Sequence, residues 1–323
     1  MFLFDVPREH REALLHAMAA VAAADGEVTP PEAVLLDAAR EALALPSRPD
    51  GAFDPGALSS AAGSVRERVV QAMLLMAVMD GSGSPNEARL IEATASMLGI
   101  DEPRVANLRQ LAEGRVGRMW LDLTRKGYAK EEFLLAAKEE GVRGLWKTFG
   151  PILGLSSDGA LADRFIEAGR LPEGTLGRAY FDFLTRHGLP FPGEPRAVAE
   201  RGLWHDLTHV LGEYDTSPVD EALVVSFIAG YRREDPFFWL FTIALQFQVG
   251  LRISPFSPGV PGQIDPRAFV LHHQRGAAVR VDLSRDWNFR ADWERPLAEV
   301  RRALGVPPRD GPLRGGRADA GPS

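Results

Sequence analysis

Apolar positions along the chain recur at helical spacing, and no segment alternates apolar and polar residues for long enough to read as a strand. The β-like candidates are short, at residues 269–272 and 278–281. The pattern therefore predicts an all-α protein. Within the first 115 residues it repeats: residues 22–33 read AAADGEVTPPEA and residues 77–88, offset by 55, read AVMDGSGSPNEA. In each copy an apolar helical run stops at an Asp-Gly pair, Asp25-Gly26 and Asp80-Gly81, because glycine enters the left-handed region without Cβ strain. Each copy then restarts with a capping box, Thr29-Pro30-Pro31-Glu32 and Ser84-Pro85-Asn86-Glu87. The hydroxyl caps free amides, proline suits the first helical position, and the glutamate reaches back to the cap's own amide. The repeat is thus a pair of helical hairpins.

The Pro-, Gly- and Ser-rich stretch 46–63 between the copies reads as a loop, and residues 103–115 as a further helix. Residues 116–155 carry two apolar-periodic runs, MWLDLT and EEFLLAAKEEGVRGLWKTFG. The predicted organisation is two helical domains: residues 1–120, a helical linker 121–154, a second domain at 155–305 and a disordered tail 306–323, which has almost no large apolar residues. The repeat resembles the tellurite-resistance TerB-like helical domain over about residues 8–115. That resemblance implies metal binding by the acids near the two turns, although Ser82 and Asn86 stand where the first copy has Glu27 and Pro31. Asp25, Glu32, Asp80 and Glu87 equally suit a purely structural role as turn and cap residues.

The segment 201–229, RGLWHDLTHVLGEYDTSPVDEALVVSFIA, carries the candidate chemistry. His205 and His209 are four residues apart, which puts both imidazoles on one helical face, one turn apart. Asp206 lies off that face and could orient an imidazole or approach an ion from the side. The helix should end at Gly212. Ser217-Pro218-Val219-Asp220 then caps a second helix, with Glu221 in its first turn. A helix, a short loop and a helix fold back as an antiparallel pair, which can bring Glu221 across to the histidines. Two histidines with one or two carboxylates suit a divalent ion such as zinc or iron with an open position. Histidines four apart also arise as packing residues, and spacing alone does not separate the two readings.

The string His205-Asp206-x-x-His209, eleven residues, then Glu221 matches the HDxxH-x11-E motif of the Coq-four family of ubiquinone (coenzyme Q) biosynthesis at every fixed position. Residues 171–183, LPEGTLGRAYFDF, and 287–305, WNFRADWERPLAEVRRALG, also resemble that family, so the likeness spans about residues 155–305. It implies an all-helical antiparallel bundle with His205, Asp206, His209 and Glu221 as metal ligands. It further implies peripheral contact with lipid or membrane, and action on polyprenylated aromatic quinone precursors. The action is removal of the ring carboxyl carbon, a lyase reaction, or scaffolding of other quinone-biosynthesis enzymes. Zinc would serve as a Lewis acid, and redox-active iron would open an oxidative route. Arg178 is a candidate for holding the substrate carboxylate. Phe237, Phe238 and Phe241, in the aromatic run that opens at Pro236, are candidates for an isoprenoid-tail wall or for a core face. A third reading, an HD-type metal phosphohydrolase, would draw on the adjacent His205-Asp206 pair with His187 and Asp282.

Composition trims these readings. With 44 acidic against 37 basic residues and a formal charge of -7, a nucleic-acid groove is not expected. No cysteine is present, which excludes thiolate nucleophiles, iron–sulfur clusters and disulfides. The start MFLFDVPREH lacks a signal-peptide pattern, and the longest apolar stretch, residues 236–249, is shorter than the roughly 20 residues of a membrane span. The expected location is cytoplasmic, with room for peripheral contact at the inner membrane face, and a homo-oligomer is compatible with all of this.

Overall fold

The computed structural model describes residues 2–48, 51–126, 157–253 and 258–310, and it is all-α as the pattern predicts. The N-terminal repeat forms two hairpins, α1 (Arg11–Ala22) with α2 (Pro30–Ala42) and α3 (Gly63–Ala77) with α4 (Pro85–Leu98). Helices α5 (Pro103–Ala112) and α6 (Val116–Lys126) follow. Both capping boxes form: the Thr29 amide donates to Glu32 Oε2 at 2.7 Å and the Ser84 amide to Glu87 Oε2 at 2.6 Å. Asp80 accepts from the Ser82 amide at 2.8 Å and so holds its own turn. Among the described residues, no three of Asp25, Glu32, Asp80 and Glu87 come close enough together to grip one cation.

The glutamate caps come at an electrostatic cost. Glu32 and Glu87 are fully buried, and one oxygen of each, Oε1, has no hydrogen-bond partner among the described residues. Burial pushes both carboxyl pKa values up against the pull of their cap hydrogen bonds, and the charges of Asp80 and Asp25 add to the rise; Glu87 reaches about 7.

The C-terminal half comprises α7 (Gly159–Ile166), α8 (Leu176–His187), α9 (Leu203–Gly212), α10 (Pro218–Tyr231), α11 (Pro236–Phe247), α12 (Pro266–Ala277) and α13 (Leu297–Leu304). Helix α10 is its axis. Every residue from Ala222 to Tyr231 is buried, as expected of a helix that is apolar all round and enclosed by its neighbours. Helices α9, α11 and α12 pack around it. The α10–α12 crossing is backbone to backbone: a Cβ added at Gly276 would lie 1.9 Å from the Phe227 carbonyl oxygen, and one at Gly230 would lie 2.3 Å from that of His273.

Two expectations change here. The β-like runs 269–272 and 278–281 are not strands: the first lies inside α12 and the second is irregular. Asp265 caps α12 by accepting from the Arg267 and Ala268 amides, with Pro266 at the first position, and that start signal overrides the local β-like composition. His272 and His273 are therefore neighbours on a helix, and both are buried. His273 Nε2 accepts the Leu3 amide at 3.0 Å, and His272 Nδ1 pairs with the Tyr214 hydroxyl at 2.6 Å. Burial pushes their pKa values down, to about 4 for His272 and about 3 for His273. The tail is not loose from residue 306: Val306 is buried and the Pro307 and Pro308 carbonyls accept from Arg275. Residues 311–323, and the run 131–150 with most of the expected linker, lie outside the described residues.

The two halves share one apolar core. Helix α12 packs on α2, and α11 on α3. Arg104 of α5 makes a two-pronged contact with Asp235 at 2.7 and 2.8 Å and lies over the Phe237 ring at 5.5 Å. Among the described residues no helix is long and apolar enough to cross a membrane.

The Glu87 shift has a definite sign. The folded chain keeps the Glu87 proton to about pH 7, whereas the unfolded chain releases it near 4.5, so stability present below pH 4.5 is lost as pH rises toward 7. Glu87→Gln keeps a capping-box side chain without the charge. It should leave stability at pH 4 nearly unchanged and raise it at pH 8 by about 1–3 kcal/mol, as read by denaturant unfolding at the two pH values.

Candidate metal centre

Helix α9 carries His205 and His209 and ends, as expected, at Gly212. The left-handed residue that closes it is not the glycine but Glu213, at φ 62°. Gly212 instead makes room: a Cβ there would fall 2.3 Å from the Tyr214 ring, so only glycine lets that ring fold under the helix end. The Tyr214 amide returns to the His209 carbonyl at 3.0 Å. Ser217 then caps α10 by accepting the Asp220 amide at 3.1 Å, with Pro218 at the first position. The short turn sends α10 back along α9 and sets Glu221 opposite the histidines.

The resulting geometry is compact. Glu221 Oε1 lies 3.4 Å from His209 Nε2, and Glu221 Oε2 lies 3.8 Å from His205 Nε2. One ligand atom from each of the three residues lies within 4.8 Å of the others. A tetrahedral ion with bonds of about 2.0–2.1 Å separates its ligands by about 3.4 Å, so the donor set fits with a small contraction. His209 Nδ1 is 3.1 Å from the Asp215 carbonyl oxygen. A carbonyl can only accept, so Nδ1 donates a ring proton to it, and Nε2 is the nitrogen that faces Glu221 and would be the one to ligate an ion. The His209 side chain is 2% exposed, whereas those of His205 and Glu221 are 30% and 22% exposed. The cluster is closed behind His209, where the Phe183 ring stands at 5.5 Å, and open on the side of His205 and Glu221.

Asp206, expected as a fourth ligand, is outside this three-residue group. Its carboxylate stands 3.5 Å from His205 Nδ1, on the far side of the ring from Glu221, where it can orient the imidazole. Burial opposes a charged His205, but the Asp206 contact and the charges of Glu221 and Asp206 together outweigh it and hold the pKa above the usual histidine value. Burial likewise pushes Glu221 up, and the His209 contact with the charges of both histidines reverses this to a net lowering. Behind Asp206 lies the buried Tyr180 hydroxyl. Burial first, then the nearby Asp206 carboxylate, push its pKa well above the usual phenol value, and among the described residues no group meets it in full hydrogen-bond geometry.

The other candidates lie elsewhere. The Arg178 guanidinium is occupied by Asp182 at 2.9 Å and by the Gly169 and Leu171 carbonyls, away from the triad. Phe237 and Phe241 are buried core residues whose rings meet at a tilt, centroids 5.9 Å apart; Phe237 also borders a small cavity between the N-terminal segment, α3 and α11. Phe238 is half-buried against Trp239. None of the three rings touches either imidazole. The aromatic link to the site is Trp204, which meets His205 at 6.0 Å and Trp239 at 5.6 Å, with the Arg232 guanidinium over both indoles. His187 is at the rim, 3.2 Å from Thr216 Oγ1. Asp282 accepts the Arg233 and Ser284 amides and serves a turn. Sequence reasoning missed the Asp215 carbonyl, because a backbone acceptor has no residue signature. It also missed Phe183, whose only signal is its helical register with Tyr180 and His187 on α8.

Replacing Gly212 with alanine should displace the Tyr214 ring and the turn that holds Asp215 in place. The expected loss is about 1–3 kcal/mol in denaturant unfolding, with near-ultraviolet circular dichroism reporting the altered tyrosine environment.

No family model and no curated protein matches the chain. Among solved structures, a crystal structure of a provisionally assigned ubiquinone biosynthesis protein from Nostoc punctiforme PCC 73102 aligns at 19% identity over 62% of this chain and 95% of that one, with a TM-score of 0.33, a likeness too slight to carry a fold or an activity across.

Proposed function

We propose that His205, His209 and Glu221 hold one divalent cation, zinc in first place and iron in second, and that the C-terminal half acts on, or presents, a polyprenylated aromatic precursor in ubiquinone biosynthesis. One observation carries the metal reading: a single carboxylate, from the opposite arm of a hairpin, faces the Nε2 atoms of both imidazoles while a backbone carbonyl takes the Nδ1 proton of one of them. Packing histidines have no need of that arrangement. The substrate reading rests on the HDxxH-x11-E match and the two flanking segments that resemble the Coq-four family.

Three protein ligands and an outward-facing side favour an open coordination position over a closed structural site, and therefore a reactive role over scaffolding alone. Bound there, a divalent ion would supply Lewis acidity toward the carboxylate or phenolate oxygens of an aromatic head group. The chain's own part is to keep His209 in one tautomer through Asp215, to orient His205 through Asp206, and to wall one side with Trp204 and Phe183. The reaction proposed is loss of the ring carboxyl group as CO2, the bonding electron pair staying on the ring carbon and being taken up by a proton, with contact to a membrane surface or to other pathway enzymes as its setting. The N-terminal repeat, for all its TerB-like pattern, is read as a helical platform. The HD-type phosphohydrolase alternative loses ground because Glu221 lies beside both imidazoles and Asp282 is committed to a turn.

Purified full-length protein should carry about one divalent ion per chain by elemental analysis. His205→Ala and His209→Ala should both lose it while keeping their helical circular dichroism. Full metal content in both variants would refute the site. Mass spectrometry of lipids extracted from the wild-type protein tests the substrate class, with a prenylated aromatic acid or quinone as the expected passenger.

A further inference from the structure

The last four carbonyls of an α-helix lack partners within the helix, and water commonly satisfies them. At the end of α9 they are instead met by arginines. Arg301 Nη2 donates to the Val210 carbonyl and its Nε to that of Leu211, each at 2.9 Å, and Arg275 Nη1 donates to that of Gly212 at 3.0 Å. Arg309 donates to the carbonyl of Glu213. Three guanidiniums, from α12, α13 and the segment after α13, thus collar the helix end that follows His209. Favourable interaction of cations with a helix C-terminus explains one such residue and does not require three.

Arg309 differs from the other two. Besides the Glu213 carbonyl at the end of α9, its second nitrogen reaches Asp220 Oδ1 in the first turn of α10. Asp220 adjoins Glu221, and its Oδ2 accepts the Asp215 amide at 3.1 Å, while the Asp215 carbonyl receives the His209 ring proton. One planar fork therefore ties the arm that carries both histidines to the arm that carries the carboxylate. Glu213 adds a second sign of constraint. It holds a left-handed backbone without being glycine, a conformation that persists when surrounding contacts over-determine it, and its side chain pairs with Arg301 at 2.8 Å.

We infer that Arg309 is a positioning residue for the triad: a staple between the two arms of the ligand hairpin, delivered by the segment after α13. The inference rests on the metal reading above. The staple sets the spacing between Glu221 and the imidazoles, so its loss relaxes the donor set before it harms the fold. Its side chain is 28% exposed and lies at the molecule's edge, unlike the fully buried Arg275.

The test compares full-length wild type with Arg309→Gln, Arg309→Lys and Asp220→Asn, using Co²⁺ as the probe. Three quantities are read: affinity by competition with a chelator, the visible absorption of bound Co²⁺, and the melting temperature without metal. The expected result is a loss of Co²⁺ affinity of about tenfold or more in Arg309→Gln and Asp220→Asn, with an altered Co²⁺ spectrum. Arg309→Lys, with a single ammonium for two acceptors, should fall between them and wild type. The metal-free melting temperature should change little. Wild-type affinity and spectrum in both Arg309→Gln and Asp220→Asn overturn the staple, whatever the melting temperatures. Should Arg309→Gln fail to fold, Asp220→Asn decides on the same readouts. A wild-type chain that takes up no Co²⁺ overturns the metal reading itself, a result distinct from failure of the staple alone.

Discussion

Two imidazoles and a carboxylate can share a cation only if all three aim lone pairs at one point, and a flexible side chain does not hold that aim unaided. The constraint on which the C-terminal half depends is the contact between the His209 ring and the Asp215 carbonyl. It fixes one tautomer and one ring orientation at once. That carbonyl sits in a turn of few residues, so its position is set by how α9 ends and how α10 begins. Gly212, Tyr214, Ser217 and Asp220 matter to the site for this reason, although none is a candidate ligand.

Helix α10 supplies the rigid reference. With Ala222 to Tyr231 buried, it has no free face and cannot rotate without opening the core against α12, where Gly230 and Gly276 allow backbone contact. Only its first turn emerges, and that turn carries Asp220 and Glu221. Negative charge at a helix N-terminus is favoured by the free amides there, which adds to the histidines' hold on an ionised Glu221. The enclosed helix thus anchors one ligand at its mouth, and the shorter α9 is aligned to it by the turn.

Much of this was legible in the residues. The Asp-Gly turns with their capping boxes, the stop at Gly212, the Ser217 start and the fold-back of Glu221 all follow from local rules, because caps and turns are decided within a few residues. What was not legible depends on contacts distant in sequence. The four-residue spacing of Phe237 and Phe241 marks a buried face but does not say what covers it; Arg104, over a hundred residues earlier, covers Phe237. Arg178 could have faced either side of α8, and Asp182 one turn on settled it. The composition after α13 looked loose because it lacks large apolar groups, yet it packs through proline carbonyls and arginines, which hydrophobic counting does not register. Asp206 shows the limit of a motif: its letter fits a ligand set, while its place on the helix turns it to the other nitrogen of His205.

The electrostatics of the triad join these strands. In the metal-free chain the histidines lower the Glu221 pKa, and the carboxylates of Asp206 and Glu221 raise that of His205, so the two groups favour each other's charged form at the site's open edge. A divalent ion at this point would compete with a proton for His205, since only the neutral imidazole ligates. Asp206 pulls in both directions. It favours the protonated form of His205, and with an ion bound it would accept from Nδ1 and make Nε2 a better donor. The same carboxylate can therefore lower the readiness of the empty site and raise the strength of the filled one. A cluster built in this way holds itself together without metal yet keeps its three donors aimed at one point, and such an arrangement would suit exchange of a water or substrate oxygen at an open position better than permanent burial of an ion.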